Sequence, residues 1–127
     1  MKQQTFKEHF AIYQQLLHKG DFLELIERLY DDEMIQIENH AAPVSGKSQL
    51  VELEKRNLSG VWEVSVRMVS LVLDEAAEKA MGEMEIKFHS KENGWMYLQE
   101  AFIQHWKNGK IVYQRFYYDA PERMENK

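Results

Sequence analysis

The stretch from Glu100 to Asp119 constrains the fold of this chain more than any other. It places Asn108-Gly109 between two runs that are rich in Phe, Tyr, Trp, Ile and Val. Asn-Gly favours a tight β-turn in which both central residues have positive φ, and aromatic and β-branched residues favour strands. The sequence therefore predicts a long β-hairpin, and we expect its aromatic arms to form one wall of a small-molecule pocket.

The rest of the sequence predicts three helices and further strands. Thr5 and Glu8 have the spacing of a capping box, which predicts a first helix over about residues 7–19, and Asp21 is expected to cap a second. A short strand is predicted over residues 34–38, a third helix over about 47–57, and long alternating strands over 62–73 and 79–90. Short turns indicate that the last four strands are antiparallel. We expect one α+β domain over residues 1–127, with a curved antiparallel sheet wrapped around the three helices.

Composition excludes several classes of partner. The 127 residues suggest one domain, and 16 basic against 21 acidic side chains give a net charge of −5 without any basic run for nucleic acid. No apolar run approaches the roughly 20 residues of a membrane span, and the N-terminal residues lack the apolar stretch of a signal peptide. The chain has no cysteine, and its five histidines lack metal-ligand spacing. We therefore expect a cytoplasmic protein without a metal, a cofactor, a nucleic-acid partner or a membrane partner.

Segments spread over nearly the whole chain carry a resemblance to a known superfamily. They are His18-Lys-Gly-Asp-Phe22, Leu29-Tyr-Asp-Asp32, Pro43-Val-Ser-Gly-Lys47, Gly109-Lys-Ile-Val112 and Phe116-Tyr-Tyr-Asp119. In this order they resemble the nuclear transport factor 2-like (NTF2-like) superfamily, and more narrowly the SnoaL-like polyketide cyclases and the ketosteroid isomerases. The resemblance implies a cystatin-like cone of sheet and helices that encloses a pocket, usually in dimers.

The resemblance also implies positions for catalytic groups. Ketosteroid isomerases combine an Asp base with a Tyr and a protonated Asp that stabilise the enolate. Tyr13 stands seven residues before Gly20, where such enzymes carry the Tyr. Glu38 stands eight residues after Tyr30, where they carry the base, so a carboxylate is kept.

The third catalytic position departs from the pattern. Ile103, or Ala101 at the same strand parity, stands where an acid is expected, so we expect this acid to be missing. Gln99 and His105 share that parity, and His105 is the expected substitute donor to an oxyanion. The absent acid argues against steroid-type isomerisation.

Two of these assignments have a purely structural alternative. Tyr13 also fits the apolar core of a helix, with its hydroxyl at the pocket edge. A shift of one residue in the strand register would turn Ile35 and Ile37 inward and Glu38 toward water. If Glu38 does face an apolar pocket, desolvation would suit it to act as a general base.

Alternation along the strands predicts which residues line the pocket and which face outward. The expected pocket residues are Phe10, Leu17, Met84, Ile86, Phe88, Gln99, Ile103, Gln114, Phe116 and Tyr118. The same residues could instead fill the cone completely. Tyr113, Arg115 and Tyr117 form a row on the opposite face, which is expected to bind a second copy of the chain, since aromatics and Arg are enriched at interfaces. A half-exposed sheet face is the alternative.

The sequence thus predicts a SnoaL-like protein that binds a small apolar or aromatic molecule. If it is an enzyme, it is an isomerase, cyclase or lyase that acts next to a carbonyl, with Glu38 as base and Tyr13 and His105 as oxyanion donors. The alternative is a non-catalytic ligand-binding or dimerisation module with the same fold.

Overall fold

The computed structural model describes residues 4–124, which form three helices and one seven-stranded sheet. The three helices and the four long strands begin and end close to the predicted bounds, whereas the first strand begins four residues earlier than predicted and two short strands were not predicted. In chain order the elements are α1 (Phe6–Lys19), α2 (Phe22–Leu29), β1 (Tyr30–Glu38), β2 (Val44–Ser45), α3 (Lys47–Ser59), β3 (Val61–Asp74), β4 (Lys79–Ser90), β5 (Gly94–Lys107), β6 (Lys110–Tyr118) and β7 (Glu122–Arg123).

The sheet has the strand order β2-β1-β6-β5-β4-β3, and β7 pairs with β5. The four long strands β3 to β6 are antiparallel, as the short turns predict. β1, however, runs parallel to β6, so the sheet is mixed and not wholly antiparallel. Most of the chain separates these two strands, so no tight turn dictates their relative direction. This parallel pair matters for the site, because it aligns Gln36 with Gln114 and Glu38 with Phe116.

Capping defines the first helix at both ends. Thr5 Oγ1 accepts a hydrogen bond from the Glu8 backbone N–H at 3.1 Å, and Glu8 Oε1 accepts one from the Thr5 backbone N–H at 2.7 Å. Gly20 ends α1 in the left-handed conformation with φ 79°. Asp21 precedes α2 as expected, but its side chain makes no capping hydrogen bond.

The predicted hairpin is present as β5 and β6. Asn108 and Gly109 have φ values of 51° and 77°, the positive values that the primed turn requires. A bulge between His105 and Trp106, just before this turn, shifts the register of the pairing between β5 and β6. The two long arms cross the middle of the sheet and bring residues of β5 and β6 onto its concave face.

The core lies where α1 covers the concave face of the sheet. Phe6, Phe10, Tyr13 and Trp106 form an aromatic cluster with ring centroids 5.2–6.3 Å apart. Aromatic pairs at such distances add to the stability that burial alone provides. Phe10, which we expected in the pocket, is part of this cluster and only 1% exposed, so it belongs to the packed core.

The observed parity of β5 corrects part of the predicted pocket. Cross-strand pairing joins Ile103 to Arg115 and His105 to Tyr113, so Ile103, His105 and also Gln99 lie on the outer face. The alternating residues Leu98, Glu100, Phe102, Gln104 and Trp106 lie on the concave face. Period-two alternation allows only one of these sets to face the helices, and burying Phe102 and Trp106 decides which.

The outer face carries the predicted Tyr/Arg row and several exposed apolar side chains. Tyr113 packs against His105 with ring centroids 4.8 Å apart and the rings tilted by 36°, and Arg115 lies over the Tyr117 ring at 5.0 Å. Met81 and Val72 are 52% and 68% exposed on the same face. Within residues 4–124, no helix is both long and apolar enough to cross a membrane.

Candidate functional site

A cavity of about 540 Å³ lies between the helices and the concave face of the sheet. This volume is within the range of small-molecule pockets. The cone is therefore not filled by its own side chains. Seven of the residues predicted to line a pocket do line this cavity: Leu17, Met84, Ile86, Phe88, Gln114, Phe116 and Tyr118. The cavity also reaches Tyr13 and Glu38.

Most of the cavity wall is apolar. Helices α1 and α2 contribute Leu17, Phe22, Leu25 and Ile26, and the end of α3 contributes Leu58. The sheet contributes Val61, Val64, Val66, Met84, Ile86, Phe88, Leu98 and Phe116. These residues come from alternating positions of β3 to β6, so the strand period that builds the core also builds the wall.

Glu38 lies at the end of β1 and points into the cavity, as Gln36 does, whereas Ile35 and Ile37 alternate to the outer face. Its carboxylate accepts two hydrogen bonds. Tyr118 Oη donates to Oε1, and Gln36 Nε2 donates to Oε2 at 3.3 Å. Hydrogen bonds donated to the oxygens of a carboxyl group favour its charged form.

Glu100 supplies an acid that the sequence reasoning missed. It lies on the concave face of β5, opposite Tyr118 in the strand pairing, and lines the cavity. Burial, and after it the negative charges of Glu38 and Glu54, raise the pKa of Glu100 to about 8. At pH 7 this carboxyl therefore carries its proton. The expectation that no acid faces the pocket from this strand is wrong, because Glu100 and not Ile103 has the inward parity.

Glu54 is a third carboxyl at the cavity, contributed by α3. Burial raises the pKa of Glu54, the charge of Glu38 raises it further, and a hydrogen bond with Asn57 opposes the rise. Its position on the helical side of the cavity was not predicted. The sequence signal was an acidic residue among Leu50, Leu53 and Leu58, the apolar positions of that helix.

Buried amides connect Glu38 to the interior of the protein. Gln114 Nε2 donates to Gln36 Oε1 at 2.9 Å and to Tyr30 Oη at 2.8 Å, and Tyr30 Oη donates to Gln36 Oε1 at 3.2 Å. Gln104 Nε2 donates to Gln114 Oε1 at 2.6 Å. Every link in this chain satisfies a buried polar group, which keeps the cost of burying the amides low.

Tyr13 and Tyr30 are the buried phenols of the site. Burial is the first cause that raises the pKa of each, so both stay protonated and can donate hydrogen bonds. Burial and the hydrogen bond to Glu38 likewise raise the pKa of Tyr118. Tyr13 therefore meets both sequence-based descriptions, since it packs in the aromatic core and also reaches the cavity.

His105 does not reach the cavity. It lies against Tyr113 on the outer face, where burial and the charge of Lys79 lower the pKa of its imidazole. The role of oxyanion donor that we expected of His105 has no geometric support there. Gln99 and Ile103 lie on the same outer face and are likewise remote from Glu38.

The charges around the cavity limit what can bind. Among the described residues, those that line the cavity include Glu38, Glu54 and Glu100 but no Lys, Arg or His. An anionic ligand would therefore have no cationic side chain to pair with. Residues 4–124 also contain no cluster of three or more His, Asp or Glu side chains arranged to hold a metal ion.

Comparison with known proteins identifies the fold. No protein-family model matches the chain, and no curated protein matches its sequence. A protein from Jannaschia sp. CCS1, named as a SnoaL-like polyketide cyclase, matches with a TM-score of 0.76 at 8% identity, over 94% of this chain and 91% of its own. An NTF2-like protein of unknown function from Burkholderia pseudomallei matches with a TM-score of 0.76 at 9% identity, over 92% of each chain.

A third solved structure, an LEH-like epoxide hydrolase from M. tuberculosis, matches with a TM-score of 0.71 at 14% identity, over 87% of this chain and 76% of its own. Identities this low establish the fold and nothing about the reaction. The chain has the NTF2-like fold.

Proposed function

We propose that this NTF2-like chain binds a small, neutral, mainly apolar molecule and moves a proton next to a carbonyl of that molecule. The observation that carries the proposal is the pair of carboxyls in one apolar cavity. Glu38 accepts two hydrogen bonds as a carboxylate, while burial raises the pKa of Glu100 to about 8. Two carboxyls whose environments favour opposite protonation states are the usual arrangement of a general base and a general acid.

In this mechanism Glu38 removes a proton from the carbon next to the carbonyl. A bound substrate excludes water from the apolar wall, which strengthens the interaction of the carboxylate with that proton. Tyr118 and Gln36 hold the carboxylate in one orientation from two sides. In an isomerisation, the proton that Glu38 takes is returned to another carbon of the same molecule. In a ring closure, the carbanion attacks a second carbonyl carbon of that molecule, and the proton goes to the oxygen of the carbonyl that is attacked.

Glu100 stabilises the oxygen that becomes negative when the proton leaves. Its protonated carboxyl donates a hydrogen bond to the carbonyl oxygen, and this bond strengthens as negative charge develops. At pH 7 and a pKa of about 8, about nine in ten Glu100 carboxyls carry the proton needed. Tyr13 provides a second protonated donor at the inner end of the cavity.

The test is exchange of hydrogen for deuterium at the carbon next to a carbonyl. The protein is incubated in D₂O with a panel of neutral cyclic and aromatic ketones, and deuterium incorporation is followed by mass spectrometry. Glu38→Gln should slow exchange by about 100-fold or more, the contribution typical of a positioned general base. Glu63→Gln, an exposed carboxyl on the outer face of β3, is the matched control and should not change the rate.

Binding is measured separately, with the neutral dye Nile red as a probe that members of the panel displace. Ile86→Trp, which fills the cavity from β4, should abolish this binding, and Glu38→Gln should preserve it. Ketones that bind without any enzyme-dependent exchange would contradict the proton-transfer role and favour a ligand-binding module. Equal exchange rates for the Glu38 and Glu63 variants would remove Glu38 as the base.

We also propose that the outer face of the sheet binds a second copy of the chain. A row of side chains from Ile37 through Arg115, Ile103 and Met81 to Val72 crosses five strands on this face. The end of this row on β4 and β3 is apolar and exposed, at Met81 and Val72. The flanking side chains on β3 and β4 carry both signs, so a copy rotated by 180° meets no net repulsion.

A further inference from the structure

The buried hydrogen bonds behind Glu38 begin at Trp106, at the opposite end of the network. Trp106 Nε1 donates to Gln104 Oε1 at 3.0 Å, and Gln104 Nε2 donates to Gln114 Oε1 at 2.6 Å. Gln114 Nε2 donates to Gln36 Oε1 at 2.9 Å, and Gln36 Nε2 donates to Glu38 Oε2 at 3.3 Å. Gln104 and Gln114 are 0% and 1% exposed, so water cannot replace a missing partner.

The indole of Trp106 gives this chain its direction. An indole N–H can only donate, whereas a glutamine amide both donates and accepts. Gln104 must therefore turn its oxygen toward Trp106, which turns its NH₂ toward Gln114. The same requirement passes to Gln114 and then to Gln36. The last NH₂ in the series faces Glu38, where only an acceptor satisfies it.

We propose that Trp106, Gln104 and Gln114 are positioning residues that act through Gln36 to keep Glu38 ionised and oriented toward the cavity. This role requires no contact between a ligand and any of the three residues, because each acts by fixing the orientation of the next amide. A reversed Gln36 amide would place its oxygen against the carboxylate and disfavour the charge. The relay thus couples a residue of the aromatic core to the charge of the site.

Other groups also act on Glu38 and are held constant in the test. The titratable groups that face it come from β1, the loop after β1, α3, β5 and β6, and they are Tyr30, His40, Glu54, Glu100 and Tyr118. Gln104 contacts Gln114, Trp106 and the Tyr13 hydroxyl, but it makes no hydrogen bond to any of these five groups in the described structure, so the relay is separable from them.

The experiment titrates the Glu38 carboxyl directly by NMR, in protein labelled with ¹³C at the glutamate side-chain carboxyl. The Glu38 signal is assigned from its absence in Glu38→Gln. Gln104→Met keeps the side-chain volume and breaks the relay at a distance. It should raise the titration midpoint of Glu38 by about one pH unit, because the Gln36 amide is then free to reverse and withdraw its NH₂ from the charged form.

Two variants separate a relay from a packing effect. Gln104→Glu should restore the wild-type midpoint, because a buried carboxyl stays protonated and can accept from Trp106 and donate to Gln114. Phe102→Leu, on the same face of β5 and 1% exposed, perturbs packing without touching the relay and should also leave the midpoint unchanged. Equal midpoints in the Gln104→Met and Phe102→Leu proteins would overturn the proposal, as would failure of Gln104→Glu to restore the midpoint.

Trp106→Phe provides the same test if Gln104→Met does not fold, since it removes only the first donor and keeps an aromatic ring in the cluster. It should raise the midpoint of Glu38 in the same direction, and an unchanged midpoint would refute the relay. The inference rests on the proposed role of Glu38, but its readout needs no substrate. If the midpoint shifts as expected but the protein catalyses no ketone exchange, the proposed function is contradicted and the relay is supported.

Discussion

Replacing Glu100 with Gln should make the protein less sensitive to alkaline pH. Gln resembles the protonated carboxyl in shape and charge, so the variant mimics the state that Glu100 has at low pH. Burial and the charges of Glu38 and Glu54 raise the pKa of Glu100 from 4.5 to about 8. At about 1.4 kcal/mol for each pH unit, this corresponds to about 5 kcal/mol of penalty on the ionised form in the folded protein.

The pH window follows from the direction of the shift. Below pH 4.5 the folded and unfolded states both hold the proton, so stability does not depend on this group. Between pH 4.5 and about 8 the folded state keeps a proton that the unfolded state has lost, and stability falls as pH rises. Above pH 8 both states are ionised and the full penalty remains. Because the side chain is only partly buried, we expect about 3 kcal/mol of this to be measurable.

The assay is urea denaturation followed by tryptophan fluorescence at pH values from 5 to 9. The free energy of unfolding of Glu100→Gln should lie within about 1 kcal/mol of the wild type at pH 5 and exceed it by about 3 kcal/mol at pH 9. Glu63→Gln removes an exposed carboxyl, so its free energy of unfolding should follow that of the wild type at every pH. It is the control for the pH dependence that other groups, such as the histidines, contribute. A constant difference between Glu100→Gln and the wild type across this range would refute the reasoning that Glu100 is buried as an acid.

Three further predictions test the fold and the assembly. Gly82→Ala should lower the free energy of unfolding by about 3 kcal/mol, because an added methyl group would collide with the Ser70 carbonyl oxygen and the Phe102 ring; a loss below about 1 kcal/mol in urea denaturation would argue against this close approach. Thr5→Ala should cost about 1 kcal/mol by the same measurement, because it removes the side-chain acceptor of the capping box. Met81→Glu should convert a dimer into a monomer in sedimentation velocity, with its far-ultraviolet circular dichroism unchanged; a wild-type monomer would contradict pairing through the outer face.

The hairpin shows where sequence reasoning is strong. Asn108-Gly109 predicts a turn with positive φ at both positions, and both angles are positive in the structure. This signal is local, because it depends only on the two turn residues and their neighbours. The first helix was predictable for the same reason. The capping box at Thr5 marks its start, Gly20 marks its end, and both signals lie next to the residues that they delimit.

Sequence reasoning was weak at β5, where it assigned the alternating residues to the wrong faces of the sheet. The family's acid position, carried over onto this strand, placed Ile103 inward and Gln99 and His105 with it. The structure has the reverse, because Gln104 finds partners in Trp106 and Gln114 and can be buried at little cost. Those partners lie on another strand and beyond a bulge, so no local pattern reveals them. This reversal is why Glu100 was missed and His105 was chosen in its place.

The position of Glu38 depends on long-range pairing in the same way. The alternation in β1 allowed either Ile35 and Ile37 or Gln36 and Glu38 to face inward. The parallel pairing with β6 selects the polar set, because it places Gln36 beside the buried Gln114. A short strand with apolar residues on one side and polar residues on the other does not reveal which side meets a cavity.

The charge states of Glu38 and Glu100 at pH 7 test the central claim most directly. The ¹³C chemical shifts of the two side-chain carboxyls in the wild-type protein report them without any substrate, with assignments from Glu38→Gln and Glu100→Gln. The account predicts that Glu38 has the shift of an ionised carboxylate and Glu100 the shift of a protonated carboxyl. Two ionised carboxylates at pH 7 would contradict it, because the cavity would then hold a base without its acid.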